Sequence, residues 1–408
     1  MKPIGPIPPG WEALDGVLSV DGAKLTDVAA EAGETPLFVY SRALLTQKFE
    51  DLRAAMPGRL AIHYAMKANP FGPLLQHMNG LVDGFDIASG GELELALAAG
   101  VDPARISFAG PGKRDRELEA AIRHGVTLNC ESEGEADRAL AIADRLGKTL
   151  RIAIRVNPSF DLKGSGMKMG GGAKQFGIDE GRVPDLVRRL IEAGADWRGF
   201  HIYAGSQALK AEALIETQGQ TIALAARLAE EAGANPPHVN LGGGFGIPYF
   251  PGDVALDTAA VGDALGEELA NLPASLADTH FAIELGRYLV GEAGIYLTRI
   301  IDRKESHGEI FLITDGGLHH QLAASGNFGT VIRRNYPVGI ANRFDAPAGE
   351  MQSVVGCLCT PLDRLSDSAM LPRADVGDLV AIFCAGAYGA SASPANFLGQ
   401  GPAREMLI

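Results

Sequence analysis

Eight short apolar runs, alternating with stretches whose apolar residues recur at helical spacing, constrain this chain more than any other feature. The runs are Leu60–Met66, Phe85–Ser89, Ile106–Gly110, Thr127–Glu131, Ile152–Val156, Phe200–Ala204, His238–Gly242 and Phe281–Leu285. Helix-period segments stand between them, among them Gly91–Ala99, Arg116–His124, Gly134–Leu146, Val183–Ala193 and Leu214–Ala232. An earlier helix, Ser41 to Met56, opens on a serine cap and stops at Pro57-Gly58. The pattern predicts an α/β fold, a closed parallel (β/α)8 barrel of the TIM type, with a doubly wound open sheet as its rival.

The alternation fades after about residue 287. Tyr288–Arg299, Glu309–Thr314, Met351–Cys359 and Asp378–Ala385 read as strands joined by Gly/Pro-rich turns. Trp11–Asp27 has no place in the barrel pattern and is expected to add strands to this second part. At 408 residues the chain exceeds one ordinary domain. The expected division is a barrel over 36–286 and a β-rich, sandwich- or barrel-like domain from 1–35 and 287–408.

Bulk properties narrow the function classes. A net charge of −14 disfavours a nucleic-acid backbone or an anionic membrane as partner. No apolar run approaches the roughly 18 residues of a membrane span, and Met1–Gly10 lacks the apolar core of a signal peptide. Four cysteines are too few and too poorly spaced for a disulfide framework or a zinc site, so no metal is expected and a reducing cytoplasm fits. Cys357 and Cys359, two apart, would face one way on a strand and read as packing.

Catalytic groups in such barrels sit at the C-terminal ends of strands. Lys67 ends the first run, where a desolvated amine can act as a nucleophile toward a carbonyl; a surface lysine is the plainer reading. Glu284, inside the apolar Phe281–Leu285 run, needs a cationic partner to be buried. A protonated pyridine nitrogen is one such partner, and an internal ion pair with Arg155 is another. Asn240-Leu241-Gly242-Gly243-Gly244-Phe245-Gly246 offers backbone amides for a phosphate, though a tight turn explains it equally well. His201, inside the Phe200–Ala204 run, would suit stacking on a cofactor ring and Ser206, just beyond it, donation to a phosphate, though a lone strand histidine is more often a satisfied core or loop residue. Only His63 and His201 would suit a metal-dependent barrel hydrolase.

Together these fragments resemble the fold-type III pyridoxal-phosphate decarboxylases, the diaminopimelate, ornithine and arginine decarboxylases. The resemblance spans nearly the whole chain and keeps the family's order. It implies Lys67 as the residue bearing pyridoxal 5'-phosphate and Asp86, in Phe85-Asp86-Ile87-Ala88-Ser89-Gly90-Gly91-Glu92-Leu93, as a cofactor neighbour. Arg155, in Arg155-Val156-Asn157-Pro158, would lie under the cofactor, and Gln175-Phe176-Gly177 partly matches a Lys-Phe-Gly of the family. His201 would stack on the ring, Ser206 and Gly242–Gly244 hold the phosphate, and Glu284 meet the pyridine nitrogen. Gly286 and Arg287 would stand beside the phosphate and the substrate carboxylate. Gly356–Asp363 resembles a segment whose cysteine, here Cys359, crosses a dimer interface, and Ala385–Gly389 one whose tyrosine, here Tyr388, lies by the phosphate. The resemblance thus implies an obligate homodimer with shared sites.

The departures concern substrate. Diaminopimelate enzymes typically place a glutamate after the cysteine; here Thr360 follows, with Asp363 as a partial substitute. His319, His320, Arg333, Arg334 and Tyr336 lie in a stretch closer to exosortase-associated or glutamyl-carrier decarboxylases, and would suit an anionic or carrier-tethered substrate unless the stretch is an exposed polar loop. Substrate contacts are expected from Arg287, Arg333, Tyr336, Thr360, Asp363 and Tyr388. Decarboxylation of an amino acid or amino-acyl conjugate other than diaminopimelate is therefore expected. A true diaminopimelate decarboxylase making L-lysine and a pyridoxal-phosphate racemase are the alternatives.

Overall fold

The computed structural model of the protein describes residues 1–164, 166–327 and 333–408. The chain forms two compact units: Phe49–Gly246 with Ala255–Gly286, and Met1–Lys48 with Ile247–Val254 and Arg287–Ile408.

The first unit is the barrel. Its strands are Ala61–Ala65, Gly84–Ile87, Ile106–Phe108, Thr127–Cys130, Arg151–Asn157, Asp196–Ile202, His238–Asn240 and His280–Leu285. Each pairs in parallel with the next, and the eighth returns to the first, with Ala282 opposite Ala61 and Glu284 opposite His63. Pairing of the fourth with the fifth, Leu128 opposite Ile152, completes the ring and excludes the open sheet. The strands are apolar enough to be buried on both faces, as a parallel sheet covered by helices requires. Helix starts are written locally: Ser89 caps Gly90–Ala98 through the Glu92 amide, and Ser132 caps Glu133–Leu146 through that of Glu135.

The second unit is β-rich. Its longest strand, Gly294–Ser306, pairs over its first half with Leu37–Tyr40 and Leu379–Ile382, and over its second with Glu309–Thr314. Glu350–Val355, Arg364–Leu371, Val338–Ile340 and Arg404–Leu407 complete an eight-stranded sheet. Trp11, Leu18, Val20, Leu25 and Val28 pack with Leu37, Val39, Ile295, Leu297 and Phe383 in one buried cluster. Burial of these side chains explains why the N-terminal segment belongs here, at about 25 cal/mol per Å² of apolar surface removed from water.

Several expectations are corrected. Leu37–Tyr40 lies outside the barrel, because its edge bonds the Gly294–Leu297 strand, so 36–48 falls in the β-rich unit, as does 247–254. Trp11–Asp27 does add strands to this unit, as a three-stranded sheet of its own that runs into a helix, Leu25–Ala32. Tyr288 sits in a short helix, Arg287–Val290, before the strand begins at Gly294. The strand expected to reach Cys359 stops at Val355, since the Asp363 carboxylate draws the Leu318 and Leu358 amides into a turn. Cys357 and Cys359 consequently share a turn instead of one strand face.

In the sixth barrel strand the register shifts between Trp197 and Gly199. Gly199 holds φ +106°, and a Cβ there would fall 1.9 Å from the His238 carbonyl oxygen. Gly199→Ala is expected to lower unfolding free energy by about 3 kcal/mol in urea titrations, whereas Gly181→Ala, with open space around it, stays within about 0.5 kcal/mol.

Candidate active site at the C-terminal end of the barrel

Parallel register collects the chemistry. Arg155 lies opposite His201, His201 opposite Asn240, and Glu284 opposite His63, while Asp86 faces Ala65, two residues before Lys67. Lys67 occupies a single 3-10 turn, Met66–Ala68, immediately after the first strand, with its Nζ 5.6 Å from the Tyr203 ring centroid. Gly286 fits that turn closely, since a Cβ there would stand 2.9 Å from both the Ala65 carbonyl oxygen and the Ala68 methyl.

Glu284 is buried, yet it carries charge. Its Oε2 lies 3.0 Å from His201 Nε2 and accepts from Asn240 Nδ2 at 3.2 Å. Burial alone would raise its pKa, but His201, Lys67 and Arg155 outweigh that and hold it well below the usual carboxylate range. The ring's Nδ1 has no hydrogen-bond partner among the described residues. A deprotonated carboxylate and a neighbouring ring with open capacity fit a cationic heteroaromatic group.

Arg155 is not the partner of Glu284. Its Nη1 donates to Glu131 Oε1 at 2.8 Å, and its guanidinium lies 4.9 Å from the Phe176 ring centroid. Glu131 also accepts the Gly110 and Gly177 amides, so one buried carboxylate ties together the ends of three strands and the Phe176-Gly177 segment. Sequence reasoning missed Glu131 although it closed one of the apolar runs, the same signal that marked Lys67. His63 serves Asp86, Nδ1 to Oδ2 at 3.1 Å; burial opposes its protonation, but Asp86 raises its pKa overall. The second Asp86 oxygen is buried without a partner among the described residues.

The glycine segment follows the seventh strand. A Cβ at Gly243 would fall 1.9 Å from the Glu284 carbonyl oxygen, so the segment must be bare to pass the eighth strand. Asn240 Oδ1 takes the Gly242 amide, and the Gly246 amide bonds the Ala208 carbonyl. The Gly243 and Gly244 amides are not drawn into these bonds. Ser206 pairs in a two-residue strand with Met167–Lys168.

In the β-rich unit, Arg287 Nη1 donates to Tyr249 Oη at 2.7 Å, and its guanidinium lies 4.7 Å from the Tyr388 ring centroid. Tyr336 packs on Tyr249, centroids 4.7 Å apart. Burial opposes the Arg287 charge, but the three tyrosines outweigh it and raise its pKa. Arg287 Nε is buried and without a partner among the described residues, a donor suited to an oxyanion. Tyr249 was missed, and nothing local in the sequence marks it. Tyr388 adopts φ +55°, rare for a residue with a side chain.

Other expected substrate residues have structural tasks. Arg333 donates to the Arg364 and Leu362 carbonyls, and both Asp363 oxygens hold backbone amides. Thr360 accepts the Asp363 amide through its carbonyl, and Cys359 is exposed in the same turn. His319 and His320 form no exposed loop and no cationic patch. Both are buried, which lowers their pKa values, that of His320 to about 4. His320 bridges Tyr296 Oη and the Gly401 carbonyl.

A closed parallel barrel with a lysine after its first strand, an ionised carboxylate on its last and a glycine segment beside it defines the site of a pyridoxal-phosphate enzyme. Residues 42–291 match the pyridoxal-binding domain of the pyridoxal-dependent decarboxylases, and the chain belongs to that family. It is 36% identical over 398 residues to the L-glutamyl-[BtrI acyl-carrier protein] decarboxylase of Niallia circulans, covering 96% of this chain and 92% of that protein. It is 35% identical to the diaminopimelate decarboxylase of Aquifex aeolicus, covering 93% and 88%. The solved diaminopimelate decarboxylase of M. jannaschi superposes with a TM-score of 0.89 at 27% identity, covering 98% and 92%. The cofactor is pyridoxal phosphate and the chemistry is decarboxylation.

Two outcomes follow from the buried charges. Glu131→Ala leaves Arg155 unpaired and is expected to cost about 3–5 kcal/mol in urea unfolding, with Glu131→Gln losing less. Because the Glu284 pKa is depressed on folding, its contribution is present above its ordinary value of 4.5 and is lost as pH falls toward the folded value. Glu284→Gln should therefore show a shallower loss of stability than wild type below about pH 4.5.

Proposed function

We propose that this protein releases CO2 from the α-carboxylate of an amino-acyl group that lacks the free distal ammonium of diaminopimelate, a carrier-tethered conjugate being the leading candidate. The observation that carries this reading is the commitment of both Asp363 oxygens to the Leu318 and Leu358 amides. With Thr360 after Cys359, Asp363 was the remaining candidate to meet a second ammonium from this segment, and an unpaired buried charge is costly. The glutamyl-carrier decarboxylase of Niallia circulans among the relatives supports the same direction.

Pyridoxal phosphate supplies the sink for the electron pair left when CO2 departs. Lys67 would carry the cofactor and exchange it for the substrate amine. Glu284, kept ionised by its neighbours, would hold a proton at the pyridine nitrogen, and His201 would support the ring. Asp86, Arg155 and Gly286 would shape the pocket floor and its rim, and Ser206 with Gly242–Gly244 would bind the phosphate. Arg287, flanked by Tyr388 and Tyr336, offers its open Nε to the phosphate or the substrate carboxylate. Cys359 of the partner subunit would deliver a proton to the α-carbon in a homodimer. Four unpaired cysteines suit a cytoplasmic setting. No helix among the described residues is long and apolar enough to cross a membrane.

Lys67→Ala is expected to abolish both the visible absorbance of lysine-bound cofactor, which borohydride bleaches in wild type, and CO2 release. A panel of meso-diaminopimelate, ornithine, arginine, glutamate and glutamyl-carrier protein should give CO2 from the conjugate and no efficient lysine formation from diaminopimelate. Efficient lysine formation overturns the substrate reading while leaving the decarboxylase intact.

A further inference from the structure

The opposite, N-terminal end of the barrel holds a cavity of about 320 Å³ that the decarboxylase chemistry does not use. Its rim is built from strand starts, Arg151, Arg198, His238 and His280 among them, and its floor from His63, Asn129 and Asn240. The walls between are small or apolar, with Ala153, Phe200 and Ala282. That size is typical of small-molecule pockets.

The charge on this rim is unbalanced. Arg105 also lines the well, but its donors are fixed on Asn79 and on the carbonyls of Asn79, Val82 and Asp83. The Asp83 carboxylate is engaged by Arg53 and the Ile62 amide. Among the described residues Arg151 and Arg198 share one ion-pair partner, Asp196, at 3.7 and 3.5 Å, beyond good hydrogen-bond distance, and Asp102 adds a weaker negative field at Arg151. Arg151 Nη1 bonds the Gly125 carbonyl, leaving further donors on the guanidinium, and Arg198 Nε is buried with no partner among the described residues. Arg198 Nη2 stands 2.7 Å from His238 Nε2, and the His238 ring lies tilted beside that of His280, centroids 5.4 Å apart.

His238, exposed at the rim, feels both its surroundings and these charges. Burial, then Arg198, His280, His63 and Arg151, depress its pKa to about 4. The positive potential of Arg151 and Arg198 at the mouth of the well, and not the burial, is what draws an anion. Both arginine side chains keep 21–25% exposure, so an anion can reach them from solvent. Asn240 closes the floor and also donates to Glu284, so an occupant lies one amide side chain from the cofactor site.

We propose that this well is a second binding site, taking a small phosphate-bearing anion on Arg151 and Arg198. Paired guanidinium donors match phosphate oxygens, and the well below the arginines has room for a small organic portion.

The test is calorimetric titration of cofactor-saturated protein with inorganic phosphate and with glycerol 3-phosphate, at constant ionic strength set with chloride. Loading is verified by the cofactor's own absorbance, so a failure of the cofactor assignment is seen separately. Saturable binding of inorganic phosphate alone supports a site for the free ion; tighter binding of glycerol 3-phosphate supports a phosphorylated metabolite. Arg198→Gln should weaken binding at least about tenfold, with Arg198→Lys in between and the surface variant Arg189→Gln unchanged. His238→Glu, which places a carboxylate in the well, provides an independent loss if Arg198→Gln does not fold. Absence of saturable binding, or wild-type affinity in a folded Arg198→Gln or His238→Glu protein, overturns the proposal.

Discussion

The charge state of Glu284 is the constraint around which the barrel is arranged. A carboxylate deep in an apolar strand would ordinarily take up a proton, because desolvation penalises the ion. Here His201 stands 3.0 Å away, Asn240 donates to the same oxygen, and Lys67 and Arg155 add positive potential. These groups come from strands that meet only when the barrel closes, so closure and ionisation depend on one another. Glu284 would offer a cofactor's ring nitrogen a negative charge that its neighbours already hold in place.

A second buried carboxylate keeps the first free. Glu131 binds Arg155 and two backbone amides, Gly110 and Gly177. Were Arg155 to pair with Glu284 directly, the carboxylate would be neutralised by a permanent cation and would have little left for a cofactor. With Arg155 held by Glu131, its effect on Glu284 is a field and not a bond. The same division appears in the β-rich unit, where Arg287 is placed by Tyr249 and packed against Tyr388 while its Nε stays uncommitted.

Much of this was legible in the chain. Strand and helix periodicity placed eight strands within a few residues of their observed ends, because burial on both faces of a parallel strand writes itself as an apolar run. Lys67, His201, Glu284 and the Gly242–Gly244 segment were visible as polar or bare residues at the ends of such runs. The misses have non-local causes. Leu37–Tyr40 has the apolar character of a barrel strand, and only pairing with Gly294–Leu297 assigns it elsewhere. Met351–Cys359 continued as a strand in the sequence because the interaction that stops it, Asp363 with the Leu318 and Leu358 amides, spans residues distant along the chain.

The sequence by itself determined the class of fold and the kinds of chemical group at its strand ends, since both follow from local periodicity and residue type. Tertiary structure alone decided the partnerships: Glu131 and not Glu284 for Arg155, the Leu318 and Leu358 amides for Asp363, burial for His319 and His320. Those outcomes turn on distance, solvent access and the sum of neighbouring charges. None of them exists until strands far apart in the chain are brought within a few ångströms.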